Sequence, residues 1–153
     1  MKGKPTTDIK IINKIINSCD VCYVAMVDKD NKPYVLPFNF GYDGTFIYLH
    51  SASVGKKIDI LKNNNQVCIT FSTAHQLFFR NKEVACSYGM KFKSVVLNGK
   101  VHFVSEYNEK INILNKIMQK YTGETFNYNA PAVNNVETFF VEIDTVTAKE
   151  VGY

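Results

Sequence analysis

The 153-residue sequence predicts a mainly β protein of the α+β class, an antiparallel barrel of six or seven strands with three flanking helices. Three observations predict it. Short runs rich in aromatic and β-branched residues recur in meander order between turn signals. Three segments, near 6–18, 57–63 and 106–121, read instead as helices. Neither G-x-G-x-x-G nor G-x-x-x-x-G-K-[ST] occurs, and these are the common dinucleotide and nucleotide loops of α/β folds.

Each element follows in order. From Thr6 to Ser18, Ile9, Ile12, Ile15 and Ile16 fall on one helical face, with Thr7 or Asp8 as the cap. Cys22–Asp28 is a β run, and Asp28 to Lys32 turns into the central strand, Pro33 to Tyr42. Pro33 and Pro37 imply an edge strand or irregular pairing, which leaves backbone groups free for a ligand. Asp43-Gly44 is a hairpin turn, and Thr45–His50 returns as a strand. A loop with Ser51, Ser53 and Gly55 then opens a short helix that stops at Asn63-Asn64-Asn65.

Gln66–Ser72 is a strand, and Thr73–Lys82 reads as a loop with an apolar tip at Leu77-Phe78-Phe79. Glu83–Val104 reads as a long hairpin turning at Asn98-Gly99. Glu106–Tyr121 is the third helix, with Ile111, Leu114, Ile117, Met118 and Tyr121 at helical spacing. Thr122–Asn135 is expected to be loop. Glu137–Glu150 closes as a strand with Phe139, Val141 and Ile143 on one face. The length suits a single domain, 1–153.

Composition narrows the function classes. The hydrophobic share of 46% and charged share of 21% are ordinary for a globular protein. No run approaches 18 apolar residues, and the start, MKGKPTTDIK, lacks a signal-peptide core, which points to the cytoplasm and no membrane. Net charge is +4, but the lysines are scattered and Arg80 is the lone arginine, which argues against nucleic acid as partner. Cys19 and Cys22 have C-x-x-C spacing, which suits redox chemistry or half a zinc site. Cys68 and Cys86 stand alone with no H-x-x-x-H nearby, so reduced, mostly buried thiols and no metal are expected.

The stretch PYVLPFNFGYDGTFIYLHSASVGKKIDIL, residues 33–61, holds the candidate site. Hydroxyls, small residues, Lys56 and Lys57 at a helix start are the parts that hold a phosphate. The pair reads equally as ordinary lysines on a polar helix face, since neighbours diverge by roughly 100°. A flat, partly apolar cofactor fits along the preceding strands. Asn39 is a poor strand former among aromatics, easier to explain if it meets a ligand or a buried polar group. His50 ends a strand just before the phosphate-like loop; His75 and His102 have no such setting.

The ordered set P-Y-x-x-P-x-x-F, the D-G turn, Y-L-H-S-A and G-K-K resembles the FMN-binding split-barrel family. These are relatives of pyridoxamine 5′-phosphate oxidase, and the likeness is to their nitroimidazole-resistance branch. Lys93-Ser94-Val95 followed by Gly99-Lys100 supports it, and the likeness runs from about Cys22 to Val151. The resemblance implies a split β-barrel, FMN as cofactor, and a homodimer with FMN at its interface. It implies that Lys56, Lys57 and Ser51 hold the phosphate, that Pro37, Phe38, Asn39 and Phe40 line the ring, and that His50 contacts the flavin as the candidate catalytic residue. Ser94 falls where the oxidases place a flavin-contacting glutamine, but it is shorter. The Trp- and Arg-containing end that binds the vitamin in those oxidases is missing, since the chain has no Trp and ends VTAKEVGY. The implied activity is therefore an oxidoreductase passing electrons from an external reductant to a small acceptor such as a nitroaromatic. A barrel that stores flavin or haem without turnover is the alternative.

Overall fold

The structure, a computed structural model, describes residues 3–153. It contains β1 (Pro5–Thr6), α1 (Ile9–Asn17), β2 (Cys22–Val27), β3 (Pro33–Phe38), β4 (Gly41–Tyr42) and β5 (Phe46–Ala52). The second half holds α2 (Lys56–Asn63), β6 (Gln66–Phe79), β7 (Tyr88–Val104), α3 (Tyr107–Thr122), α4 (Ala130–Asn134) and β8 (Val136–Val151). All strands join one antiparallel sheet in the order β3-β2-β6-β7-β8-β5-β4, with β1 added to β8. The mainly β, α+β class is as the sequence predicts. Two of the eight strands among the described residues, β1 and β4, are two residues long, too short to leave a periodic signal.

The strand order explains the barrel. β3 and β4 lie at opposite ends of the sheet, yet only Asn39 and Phe40 separate them in the chain. Three Cα–Cα steps reach at most about 11 Å. The sheet must therefore curl until its two ends nearly meet, and the seam between them stays unpaired. Inside the curl, Ile15, Phe40, Leu49, Ile69, Leu97 and Phe139 are each at most 1% exposed. Helix α1 closes one end of this core with Ile12, Ile15 and Ile16, and Asp8 caps it by accepting the Lys10 N–H at 2.9 Å. Ile9, in the first turn, is 51% exposed and stays outside.

Three readings change. Thr73–Phe79 is not loop but the second half of β6, since Gln76 to Phe79 pair with Lys91 to Tyr88. One irregularity between Thr73 and Gln76, with Ala74 at φ 55°, marks where the arm bends away from the barrel. Asn98-Gly99 is not a turn either. β7 runs unbroken through it, and the register against β8 shifts there. The β6–β7 connection lies at 80–87 instead, around a short 3-10 turn, Ala85–Ser87. Within the expected loop 122–135, α4 forms because Asn129 caps it by accepting the Ala132 N–H at 2.9 Å, Pro131 suits the first turn, and Val133 is buried.

Gly99 is needed for close approach. A Cβ there would come within 2.3 Å of the Glu142 carbonyl oxygen on β8. Gly99→Ala is expected to lower unfolding stability by about 1–3 kcal/mol, the usual cost of overpacking. Asn98→Ala, which removes an exposed hydrogen bond to Thr145, should change it by less than about 0.5 kcal/mol. Urea denaturation of both variants checks this, and equal losses would restore a turn-like role for the pair.

Candidate functional site

The candidate site forms where β5 ends against the edge strand β3. On β5 the period-two alternation sends Ile47, Leu49 and Ser51 inward, and Tyr48 and His50 to the other face. The chain then leaves the sheet through Ala52–Val54 and turns at Gly55, whose φ of 133° favours glycine. No side chain caps α2, and only Ile58 and Asp59 donate back to the Gly55 carbonyl, at 3.1 and 3.2 Å. The N–H groups of the helix start are left open, at its positive end.

The two lysines diverge, as adjacent helical residues must. Lys56 Nζ lies 4.4 Å from the centroid of the Tyr34 ring, and Lys57 Nζ lies 5.5 Å from that of Phe38. Tyr34 and Phe38 are four residues apart on one face of β3, so the cations are strung along the edge strand. Lys56 is exposed and Lys57 half-buried. Tyr34 was not anticipated, although its spacing from Phe38 on a period-two strand is a signal that would have found it.

His50 is the most informative residue. It is half-buried, and its Nδ1 is a buried nitrogen with no hydrogen-bond partner among the described residues. Burial holds its pKa below the ordinary histidine value, and the Lys57 cation lowers it further. The imidazole is therefore neutral near pH 7, with one ring nitrogen unsatisfied beside a cation. An orphaned buried polar atom is uncommon in a folded chain and is expected where a ligand supplies the missing bond. An open helix start, a half-buried lysine and this nitrogen together suit an anionic, hydrogen-bonding group.

The remaining expected residues divide. Phe38 is 7% exposed and packs edge-on against Phe139 at 6.2 Å, which ties β3 to β8 beneath Lys57. Pro37 and Asn39 are exposed at the seam. Ser51 is 8% exposed, and its hydroxyl donates to the Ala52 carbonyl at 2.8 Å. Phe40 is a core residue: its ring packs on Phe71 at 5.0 Å and its N–H donates to the Tyr121 hydroxyl at 3.1 Å. Ser94 is not brought to the corner within one chain. Its β8 neighbour is Lys149 while that of His50 is Thr138, about 36 Å apart along the strand at the usual rise.

The cysteines also divide. Cys19 and Cys22 are buried free thiols, and burial pushes the Cys22 pKa up to about 12, so both are poor nucleophiles. Cys68 is half-buried, while Cys86 is exposed in the β6–β7 turn rather than buried in a strand. No helix among the described residues is long and apolar enough to cross a membrane.

An antiparallel sheet curled until its two ends nearly meet, with helices at its flanks, defines a protein of the split-barrel class. The family profile described as Pyridoxamine 5′-phosphate oxidase matches residues 8–150, and the chain belongs to that family. Among solved structures it is similar to a candidate 5-nitroimidazole antibiotic resistance protein from Bacteroides thetaiotaomicron VPI-5482. The two are 42% identical with a TM-score of 0.86, over 97% of this chain and 87% of that one. The flavocytochrome Anf3 from Azotobacter vinelandii is 19% identical with a TM-score of 0.82, over 97% of this chain and 70% of that one. An FAD and haem binding protein from Mycobacterium smegmatis is 15% identical with a TM-score of 0.85, over 98% and 74%. The likeness to these last two is one of fold. No curated protein matches the chain.

The depressed His50 pKa gives a pH dependence. Between its folded value and the ordinary 6.5, the unfolded chain binds more protons than the folded one. This contribution to stability is complete above about pH 6.5 and is lost as pH falls through the window. Lys57→Met should raise the His50 pKa, followed by NMR titration of the imidazole. An unchanged titration would separate the two residues.

Proposed function

We propose that the chain is a flavin-dependent oxidoreductase that holds FMN at the β5–α2 corner. The family membership supports a flavin, and the likeness to a candidate nitroimidazole-resistance protein supports a small nitroaromatic as acceptor. The observation that carries the reading is the open, uncapped start of α2 with Lys56 and Lys57, beside the unsatisfied His50 nitrogen. A terminal phosphate matches that start: backbone N–H groups, two cations and the Ser51–Ser53 loop. FMN ends in such a phosphate, whereas in FAD the phosphate bridges onward to adenosine.

The flavin, when bound, supplies electron transfer from an external reductant to the acceptor. The chain's own residues do the rest. Lys57 and, on turning away from Tyr34, Lys56 neutralise the phosphate, and Pro37, Phe38 and Asn39 present the seam to the ring, with Phe38 fixed by Phe139. His50, neutral and adjacent, offers one ring nitrogen as a hydrogen-bond partner to cofactor or acceptor. Phe40 acts from below as core, and Ser94 contributes only from a second subunit. A homodimer supplies that subunit and covers the unpaired β3 edge together with the exposed Leu77 and Phe79 of the arm, 60% and 49% exposed.

Titration with FMN and riboflavin tests the phosphate argument. FMN should bind more tightly, and Lys56→Ala combined with Lys57→Ala should remove most of the difference, about 1.5–3 kcal/mol for each charge-assisted contact. Equal affinities in the unmutated chain would sink the FMN assignment. Light scattering of the flavin-loaded protein should give a dimer, and a loaded monomer would remove the interface.

A further inference from the structure

An open-sided cavity lies away from the corner, where α3 crosses the outer face of β5 and β8. The alternation that buries Ile47 and Leu49 turns Phe46 and Tyr48 the other way, and the register sets Phe140 opposite Tyr48. The three rings meet edge to face. Phe46 is 5.0 Å from Phe140 at 66° and 6.3 Å from Tyr48 at 67°. All three are half-buried.

This floor is held from outside. His102 stacks on Phe140 at 5.0 Å and 22°, with Nε2 2.8 Å from a Glu142 carboxylate oxygen. The Tyr48 hydroxyl donates to Asp43 at 2.5 Å. Helix α3 is fixed above by its buried Ile113, Leu114 and Ile117, by Lys110 donating to the Val136 carbonyl at 2.6 Å, and by Tyr121 donating to the Asp20 carbonyl at 2.6 Å.

Facing the rings is a stripe of Glu109, Asn112, Lys116 and Gln119, spaced three, four and three residues apart on one helical face. A polar stripe normally faces water, and an aromatic patch is normally covered by apolar side chains. Here the two border one cavity of about 520 Å³. That volume is in the range of a small-molecule site, with an aromatic floor on one side and a polar wall on the other. Asn115, on the same lining, is committed elsewhere: it accepts the Phe126 N–H at 2.9 Å and the Tyr128 hydroxyl at 3.1 Å. The exposed Asn112, Lys116 and Gln119 remain as donors, with Lys116 Nζ 5.9 Å from the Tyr48 ring centroid. Glu109 sits seven residues from Lys116, about 10 Å along the helix, and the acid within electrostatic reach of Lys116, Asp43, has its carboxylate taken by the Tyr48 hydroxyl and the Thr45 and Phe46 N–H groups.

We propose that this cavity is a second small-molecule site, separate from the β5–α2 corner, and that it takes a planar aromatic acid. The ring lies against Phe46, Tyr48 and Phe140, and the acid group meets Lys116 with the Asn112 and Gln119 amides beside it. The site is independent of whether the corner holds a flavin.

The test is NMR shift mapping on the protein as purified, with 2-naphthoate as probe and cyclohexanecarboxylate as the non-aromatic control. 2-Naphthoate should give saturable shifts at Phe140, Lys116 and Gln119, with Lys56 and Lys57 unmoved. Lys116→Met should weaken binding about tenfold, the loss of one charged contact. Asn112→Trp, which fills the cavity from an exposed helix position, should abolish binding while melting stays unchanged. Shifts confined to the corner, none up to about 10 mM probe, or equal binding of the control would overturn the proposal. So would α3 resonances already covered by a second subunit.

Discussion

The two-residue joint between β3 and β4 is the constraint on which the rest depends. Asn39 and Phe40 carry the chain from one end of the sheet to the other, and the sheet has to close around them. Phe40 makes the joint rigid. It is fully buried against Phe71, its N–H is taken by Tyr121, and Lys120 Nζ sits 4.4 Å from its ring centroid. Tyr121 also donates to the Asp20 carbonyl, so one hydroxyl ties α3, the seam and the start of β2 together. With the seam fixed, Phe38 meets Phe139 across it, and the strand end at His50 is brought against Lys57. The corner is thus a product of closure, assembled from elements far apart in the sheet.

Closure has an electrostatic cost at that corner. A histidine with one nitrogen buried and unpaired, next to a cation, lowers the stability of the folded chain. Among the described residues, burial and the Lys57 cation are what act on the imidazole, and both disfavour its charged form. A core that includes Leu49, Phe71 and Phe139 absorbs such a penalty easily. Local conflicts that persist in an otherwise consistent sequence concentrate where ligands act.

Much of this was legible in the sequence, for reasons that differ from residue to residue. The isoleucines of α1, the Asp43-Gly44 turn and the edge position of a strand with Pro33 and Pro37 follow from local rules, and each rule acted alone. Asn98-Gly99 follows the same turn rule but obeys a different demand. The glycine admits the Glu142 carbonyl, 43 residues further along the chain, and no local pattern records that. Thr73–Phe79 looked like loop because its strand character comes from pairing with β7. At the site, Lys56, Lys57 and His50 were visible as types in a row. That Phe40 belongs to the core, that Tyr34 lies under a lysine, and that His50 keeps a nitrogen unpaired emerge only from closure.

The prolines of β3 have a further consequence for how the chain behaves in a crowded solution. In a strand, alternate residues point their N–H groups to opposite sides, and 33, 35 and 37 share a side. With proline at two of those positions, Val35 is the single donor of that row. Because β2 pairs with β3 along its whole length, the depleted row belongs on the outer edge. Growth of a fibril by stacking strands onto this edge would find one donor where an ordinary edge offers three, with only the carbonyls complete. The edge that leaves the seam open to a ligand is the same one that resists templating another chain.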